Sequence, residues 1–215
     1  MLTSWKTAVS SRAIGPHLLD TGPVLCLGGS EVMAELYDVH LAGQGAVVAV
    51  VADEVRGWSS AHVAPGDPHR IGGVKRAGAG AVARYGKTLL STAIPTPVPE
   101  PATISAIRQD LEDHAARKRP GRTVRANEHA GETYSIHEAA VRSLRFVSND
   151  DGARHVAAAR SVAHESFADI ARRLVSCQQD VKPKQVLREL QRLVREGVDV
   201  GDVVNSVLDL RWASQ

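Results

Sequence analysis

The sequence predicts an α/β domain built on a parallel sheet, and three stretches carry that prediction. The first is His17-Leu18-Leu19-Asp20, a short apolar run that ends on an acid and is followed by Thr21-Gly22-Pro23, which reads as a turn. The second is Ala46 to Ala52, apolar at every position, the pattern of a strand buried on both faces. The third is a helical stretch from about Asn127 to Arg142 that leads into Leu144-Arg145-Phe146-Val147-Ser148, where Asn149-Asp150-Asp151-Gly152 stops the strand. Strand, helix, strand in that order argues for parallel pairing through right-handed crossovers.

The remaining elements fill in between. Val24 to Leu27 is apolar and Gly28-Gly29 interrupts it; Ser30 reads as an N-cap with Glu31 in the first turn and Val32, Met33, Leu36 and Tyr37 at helical spacing. Gly43 and Gly45 end that helix, and Asp53 and Glu54 fall directly after the second predicted strand. From Ser59 to Asn127 the pattern is weaker. Ala64-Pro65-Gly66-Asp67-Pro68 is a loop, Val74 to Leu90 is helical despite Gly78, Gly80 and Gly86, and Ile94 to Pro99 is an extended edge segment because proline cannot donate to a central ladder. Pro101 to Lys118 forms a helix with Ile104, Ile107, Leu111 and Ala115 on its buried face. Gly80 to Thr88 resembles a phosphate-binding loop, but five residues separate the glycines where four are required, and no apolar strand leads into it. Ala153 to Arg160 is a short helix, Ser161-Val162-Ala163 a last strand, and Ser166 caps a helix carrying Phe167, Ile170, Ala171, Leu174 and Val175. A helix from Lys182-Pro183 presents Val186, Leu187, Leu190, Leu193 and Val194 as a narrow stripe suited to core packing or a subunit contact, and a final helix begins at Asp202.

Composition narrows the function classes. At 43% hydrophobic and 23% charged the 215 residues form a globular chain, and a net charge of +2 excludes a global polyanion-binding surface, so any basic patch is local. Such a patch exists at Arg117 to Arg125, which holds five cations. Cys26 and Cys177 are unpatterned, which points to a reducing compartment without a disulfide framework or zinc knuckle. Met1 to Gly15 lacks a signal-peptide pattern, and the longest apolar run is too short to span a bilayer; a soluble, cytoplasmic protein with no membrane partner is expected.

The acids carry the chemistry. Asp20 and Glu54 follow predicted strands, and Glu132 opens the helix that precedes Asp150. From Glu132 to Ser143 the helix climbs about 16 Å, and the strand from Leu144 to Asp150 returns by roughly 16 to 20 Å. Glu132 and Asp150 therefore face one another at one edge of the sheet. Four converging carboxylates repel, and a hard divalent cation, Mg²⁺ or Mn²⁺, removes that cost. A metal of this kind lowers the pKa of bound water and holds a phosphate oxygen, as phosphodiester hydrolysis requires. His129 is the one histidine expected near this site.

Leu-Leu-Asp20-Thr-Gly-Pro, Val-Ala-Asp-Glu54-Val, Gly-Glu132 opening a helix and Ser148-Asn149-Asp150 after a strand resemble, in that order, the PIN-domain nucleases, and in particular the VapC-like toxin ribonucleases. The resemblance covers roughly His17 to Asp53 and its following helix, then Glu128 to Leu210. It implies a three-layer PIN-like (Rossmann-like) α/β domain with a central parallel sheet and a helical C-terminal tail. Residues 1–16 are then an N-terminal extension, 17–176 the nuclease domain with 59–127 as an insertion carrying the basic run, and 177–215 the helical extension. It further implies Asp20, Glu54, Glu132 and Asp150 as catalytic acids, with Asp20, Glu132 and Asp150 on Mg²⁺ or Mn²⁺. Asp53 is the alternative to Glu54, and Asp151 to Asp150. Thr21, Ser148 and Asp151 would support the acids, and Arg119, Arg122 and Arg125 would hold the RNA backbone. The implied activity is metal-dependent hydrolysis of single-stranded RNA by a toxin that a small antitoxin neutralises, with a homodimer as a further expectation. The alternatives are a non-catalytic PIN-like scaffold that binds RNA or protein, and an unrelated phosphate-handling α/β enzyme.

Overall fold

The structure is a computed structural model that describes residues 16–41, 43–63, 70–98, 100–121, 128–177 and 183–201. At its centre lie four short strands, β1 (His17–Leu19), β2 (Gly45–Ala46), β3 (Arg145–Val147) and β4 (His164–Glu165), in the spatial order β2-β1-β3-β4 and all parallel. Leu18 pairs with Ala46 on one side and Phe146 on the other, and Leu19 pairs with Val147. Strands of two or three residues cannot sustain a sheet by themselves; helix burial of Leu18, Leu19, Phe146 and Val147, all at zero exposure, supplies the stability.

The helices are α1 (Thr21–Gly29), α2 (Glu31–Leu41), α3 (Ala49–Ser60), α4 (Arg70–Tyr85), α5 (Ala102–Lys118), α6 (Ala130–Arg142), α7 (Asp151–Ala159), α8 (Phe167–Cys177) and α9 (Pro183–Arg195). One packed group joins α1, α2, α3, α4, α8 and α9; in another, α6 and α7 lie on β3 and its neighbours with α5 packed against both, and α3 also packs on α6. This fits a three-layer α/β plan. Residues of the predicted insertion enter the common core, among them Ala77, Ala81, Tyr85, Ile107 and Leu111, as do Val186, Leu190 and Leu193 of α9. No helix among the described residues is long and apolar enough to cross a membrane.

Four local readings of the sequence are corrected. Thr21-Gly22-Pro23 is the first turn of α1 rather than a turn that ends a strand: Asp20 caps it, and Pro23 occupies a first-turn position whose N–H has no intrahelical acceptor anyway. The run Ala46 to Ala52 is not one strand. β2 ends at Ala46, Val48 makes a single parallel bridge to Ile94, and α3 starts at Ala49, so Asp53 and Glu54 lie in the second turn of a helix. An unbroken apolar run has no period to separate a strand from a buried helix. The last strand is His164–Glu165 rather than Ser161 to Ala163, and helix α4 begins at Arg70 and ends at Tyr85. The bridge to Ile94 agrees with an edge role for the proline-rich segment. The predicted helix from Asp202 lies outside the described residues.

Glycines let α1 and α4 cross at backbone contact. A Cβ on Gly28 would stand 2.2 Å from the Ala77 carbonyl oxygen, and one on Gly80 2.0 Å from the Gly28 carbonyl oxygen. Gly57, in α3, has open space around its missing Cβ. Gly80→Ala is therefore expected to destabilise by about 1–3 kcal/mol through forced separation of the two helices, whereas Gly57→Ala should stabilise by about 0.5–1 kcal/mol. Urea unfolding of the two variants measures both; equal effects would mean that the crossing is not tight.

Candidate active site: the acidic edge of the sheet

The pairing of Leu19 with Val147 places the next residues of two neighbouring strands side by side at their carboxyl ends. The Asp20 N–H donates to the Val147 carbonyl at 2.9 Å, and the Ser148 hydroxyl donates to Asp20 Oδ2 at 2.6 Å while accepting from the Asp150 N–H at 3.1 Å. One hydroxyl thus fixes Asp20 relative to the segment that carries Asp150. Both acids are helix caps: Asp20 Oδ1 accepts from the Thr21 N–H at 2.8 Å, and Asp150 Oδ1 from the Ala153 N–H at 2.9 Å.

Glu54 arrives from α3. Its carboxylate accepts a hydrogen bond from the Thr21 hydroxyl and another from the backbone N–H of Gly131 at the start of α6. A Cβ on residue 131 would lie 3.2 and 3.3 Å from the two Glu54 carboxylate oxygens, so glycine permits this close approach. Glu132, in the same helical turn, is half-buried. The cluster therefore draws on the ends of β1, α3 and α6 and on the cap of α7.

Electrostatics ties the acids together. Asp20 is 6% exposed. Burial pushes its carboxyl up to about 6 against the opposing hydrogen bonds from Ser148 and Thr21, and the charges of Glu54 and Asp150 push in the same direction as burial. Glu132 is raised well above the usual carboxylate range, first by burial and then by the charge of Asp20, with Glu54 and Asp150 adding to it. Glu54 is raised by burial despite its two hydrogen bonds. Glu165, also buried, behaves oppositely: burial would raise it, but hydrogen bonds from His17 and Arg173, and their charges, hold it below its ordinary value. The same fold compensates one buried carboxylate with cations and gathers others against one another.

The other expected residues fall as follows. Asp53 is exposed and pairs with Arg56 at 2.9 Å, so Glu54 is the acid that faces the cluster. Thr21 and Ser148 both hydrogen-bond to cluster carboxylates. Asp151 points elsewhere, pairing with Lys118 at 2.9 Å and Arg154 at 3.5 Å, and the Lys118 contact lowers its pKa. Arg119 is exposed at the end of α5, while Arg122 and Arg125 lie outside the described residues. Sequence reasoning missed Asn149. Its Nδ2 donates to the Asp199 carbonyl at 2.6 Å and lies 3.6 Å from Cys26 Sγ, tying the end of β3 to α1 and to the segment after α9. It also missed Gly131 and His114; the signal for His114 was its place with Leu111, Ala115 and Lys118 on one face of α5.

The donor chemistry of the cluster suits a hard cation: all four side chains offer oxygen, and three have raised proton affinity that a positive ion would reverse. Among the described residues, however, no group of three or more His, Cys, Asp or Glu side chains is arranged so that it could hold a metal ion as it stands.

A raised carboxyl pKa means that the folded protein holds its proton to higher pH than the unfolded chain. Asp20 therefore costs nothing below about 3.8 and costs stability progressively as pH rises through about 6, by roughly 3 kcal/mol at pH 7 for a shift of this size. Asp20→Asn keeps the cap and removes the charge. It is expected to be more stable than the parent at pH 7, with the difference closing as pH falls toward 4. Paired thermal melts across that range test this; a variant destabilised at every pH would assign Asp20 a purely structural role. No protein-family model, curated protein or solved structure matches the chain.

Proposed function

We propose that the protein is a Mg²⁺- or Mn²⁺-dependent endoribonuclease that hydrolyses single-stranded RNA at the acidic edge. The observation that carries this reading is the gathering of four carboxylates at one sheet edge, where burial raises Asp20, Glu54 and Glu132, the charges of Glu54 and Asp150 raise Asp20 further, and those of Asp20, Glu54 and Asp150 raise Glu132. Asp20, Glu132 and Asp150 would hold the cation, and Glu54, hydrogen-bonded to Thr21 and Gly131, would complete the acidic set. When bound, the ion supplies charge neutralisation and activation of water for attack on a phosphodiester. The chain's own contribution is placement: Ser148 orients Asp20, Gly131 admits Glu54 beside α6, and α1 and α7 each begin at a cluster acid. The order of the acidic motifs, which resembles that of the VapC-like toxins, supports a role as the toxin of a toxin–antitoxin pair, with a small antitoxin protein as partner.

A second reading, a non-catalytic PIN-like scaffold, is favoured by the structural duties of the same acids, since Asp20 and Asp150 cap helices and Glu54 is doubly hydrogen-bonded. Metal separates the two. On the enzyme reading Mn²⁺ raises the melting temperature in a saturable way, RNA is cut, and excess chelator or Glu132→Gln abolishes cutting while the fold persists. On the scaffold reading Mn²⁺ has no such effect.

Ser148→Ala provides a finer check. Loss of the hydroxyl that orients Asp20 is expected to weaken metal affinity or activity by about 10–100-fold, and to raise the Asp20 pKa further, because that hydrogen bond lowers it. Metal titration of the variant, with carboxyl NMR as the second readout, reports both; unchanged values would remove Ser148 from the site.

A further inference from the structure

The chain that follows α9 returns to the end of β3. Gly197, with φ at +81°, turns it out of the helix, and the Val198 N–H donates to the Leu193 carbonyl at 3.0 Å. Val198 and Val200 then enter the core. Between them, the Asp199 carbonyl accepts from Asn149 Nδ2 at 2.6 Å and from the Cys26 thiol at 3.4 Å. Asp199 Oδ1 accepts from the Gly201 N–H at 2.8 Å, and Gly201, at φ +59°, lies against the Asn149 backbone: a Cβ there would stand 3.1 Å from the Asn149 carbonyl oxygen. The Asn149 amide also rests on the first turn of α1, where a Cβ on Gly22 would stand 3.1 Å from Nδ2. Asn149 is buried, so loss of the Asp199 acceptor would strand a donor away from water.

Asn149 separates Ser148, whose hydroxyl donates to Asp20 and accepts from the Asp150 N–H, from Asp150, which caps α7. We propose that Asn149 is a positioning residue for the acidic edge, a clamp by which residues 198–201 hold Ser148 and Asp150 against the start of α1 and so set their distance from Asp20. Pairing of β1 with β3 ends at Val147, so beyond it side chains rather than a strand ladder join this segment to α1. Both sides of the join meet the same helix: Asp20 caps α1, and the Asn149 amide lies on its Gly22 and 3.6 Å from Cys26 Sγ. The outer support of the acids is thus a stretch of chain about fifty positions further on, fixed through one amide. The positioning role rests on these hydrogen bonds; that the positioned acids are metal ligands rests on the nuclease reading.

Native-state hydrogen exchange of the full-length, metal-free protein reads the backbone, and calorimetric titration with Mn²⁺ reads the acids. In Asn149→Ala the amides of Asp20, Asp150 and Ala153 are expected to exchange roughly tenfold faster than the fall in global stability accounts for, and Mn²⁺ to bind several-fold more weakly. Gly201→Ala leaves Asn149 in place and pushes the segment off its carbonyl. It should produce the same two effects, and it carries the test if Asn149→Ala does not fold. Leu36→Ala, which opens a core cavity in α2 and breaks none of these hydrogen bonds, sets the scale of global destabilisation alone. Exchange that rises only in step with Leu36→Ala, or only within residues 198–201, overturns the positioning role. Unchanged Mn²⁺ affinity in variants whose edge has loosened overturns it as well. A parent protein that binds no Mn²⁺, while its variants still loosen Asp20 and Asp150, would sink the nuclease reading and leave the clamp standing.

Discussion

The register between β1 and β3 decides where the acids of this protein stand. Because Leu19 faces Val147, the chains leave the sheet together at Asp20 and Ser148, and one hydroxyl then links Asp20 to the backbone of Asp150. A one-residue slip of either strand would turn its side chains to the opposite face and dissolve that link. Everything at the acidic edge follows from a pairing only three residues long, so the helices that enforce the pairing are part of the site.

Those helices are held unusually close. Helix α1 emerges directly from Asp20 and is buried at five successive positions, Pro23 to Leu27, so it behaves as a core helix apolar on all sides. Its far end meets α4 through Gly28 and Gly80 with no side chain between the backbones. The segment from residue 70 to residue 85, weakly patterned and rich in glycine, is therefore a principal support of the helix that carries the first acid. Glycine's low helix propensity is offset by packing that only glycine permits.

The acids serve two purposes that pull in opposite directions. As caps and hydrogen-bond acceptors, Asp20, Glu54 and Asp150 order the starts of α1, α6 and α7. As charges they repel, and for Asp20, Glu54 and Glu132 burial adds to that repulsion. The contrast with Glu165, which pairs with Arg173 and Arg145, shows that the fold can compensate a buried carboxylate when it holds cations nearby. At the acidic edge Asp20 and Glu132 instead meet burial and the charges of other carboxylates.

The sequence by itself determined the class and the order of the parts. Apolar runs ending on Asp20 and on Ser148 identified two strands, and helical spacing identified the α5, α6, α8 and α9 stripes, because periodicity and local capping are short-range properties that a single chain displays. The Glu132-to-Asp150 interval was legible for the same reason, since the rise of a helix and of a strand is fixed. Tertiary structure decided what has no local signature. It turned Thr21-Gly22-Pro23 into a helical first turn, because Asp20 was positioned to cap it. It divided the apolar run after Gly45 between a strand and α3, because both ended up buried and burial erases the difference in period. It chose Glu54 over Asp53 by the direction each faces on α3, and it set His114 beside Asp150 across a sequence separation that no pattern spans. Such contacts are made between elements, and a single chain read residue by residue does not contain the packing that chooses them.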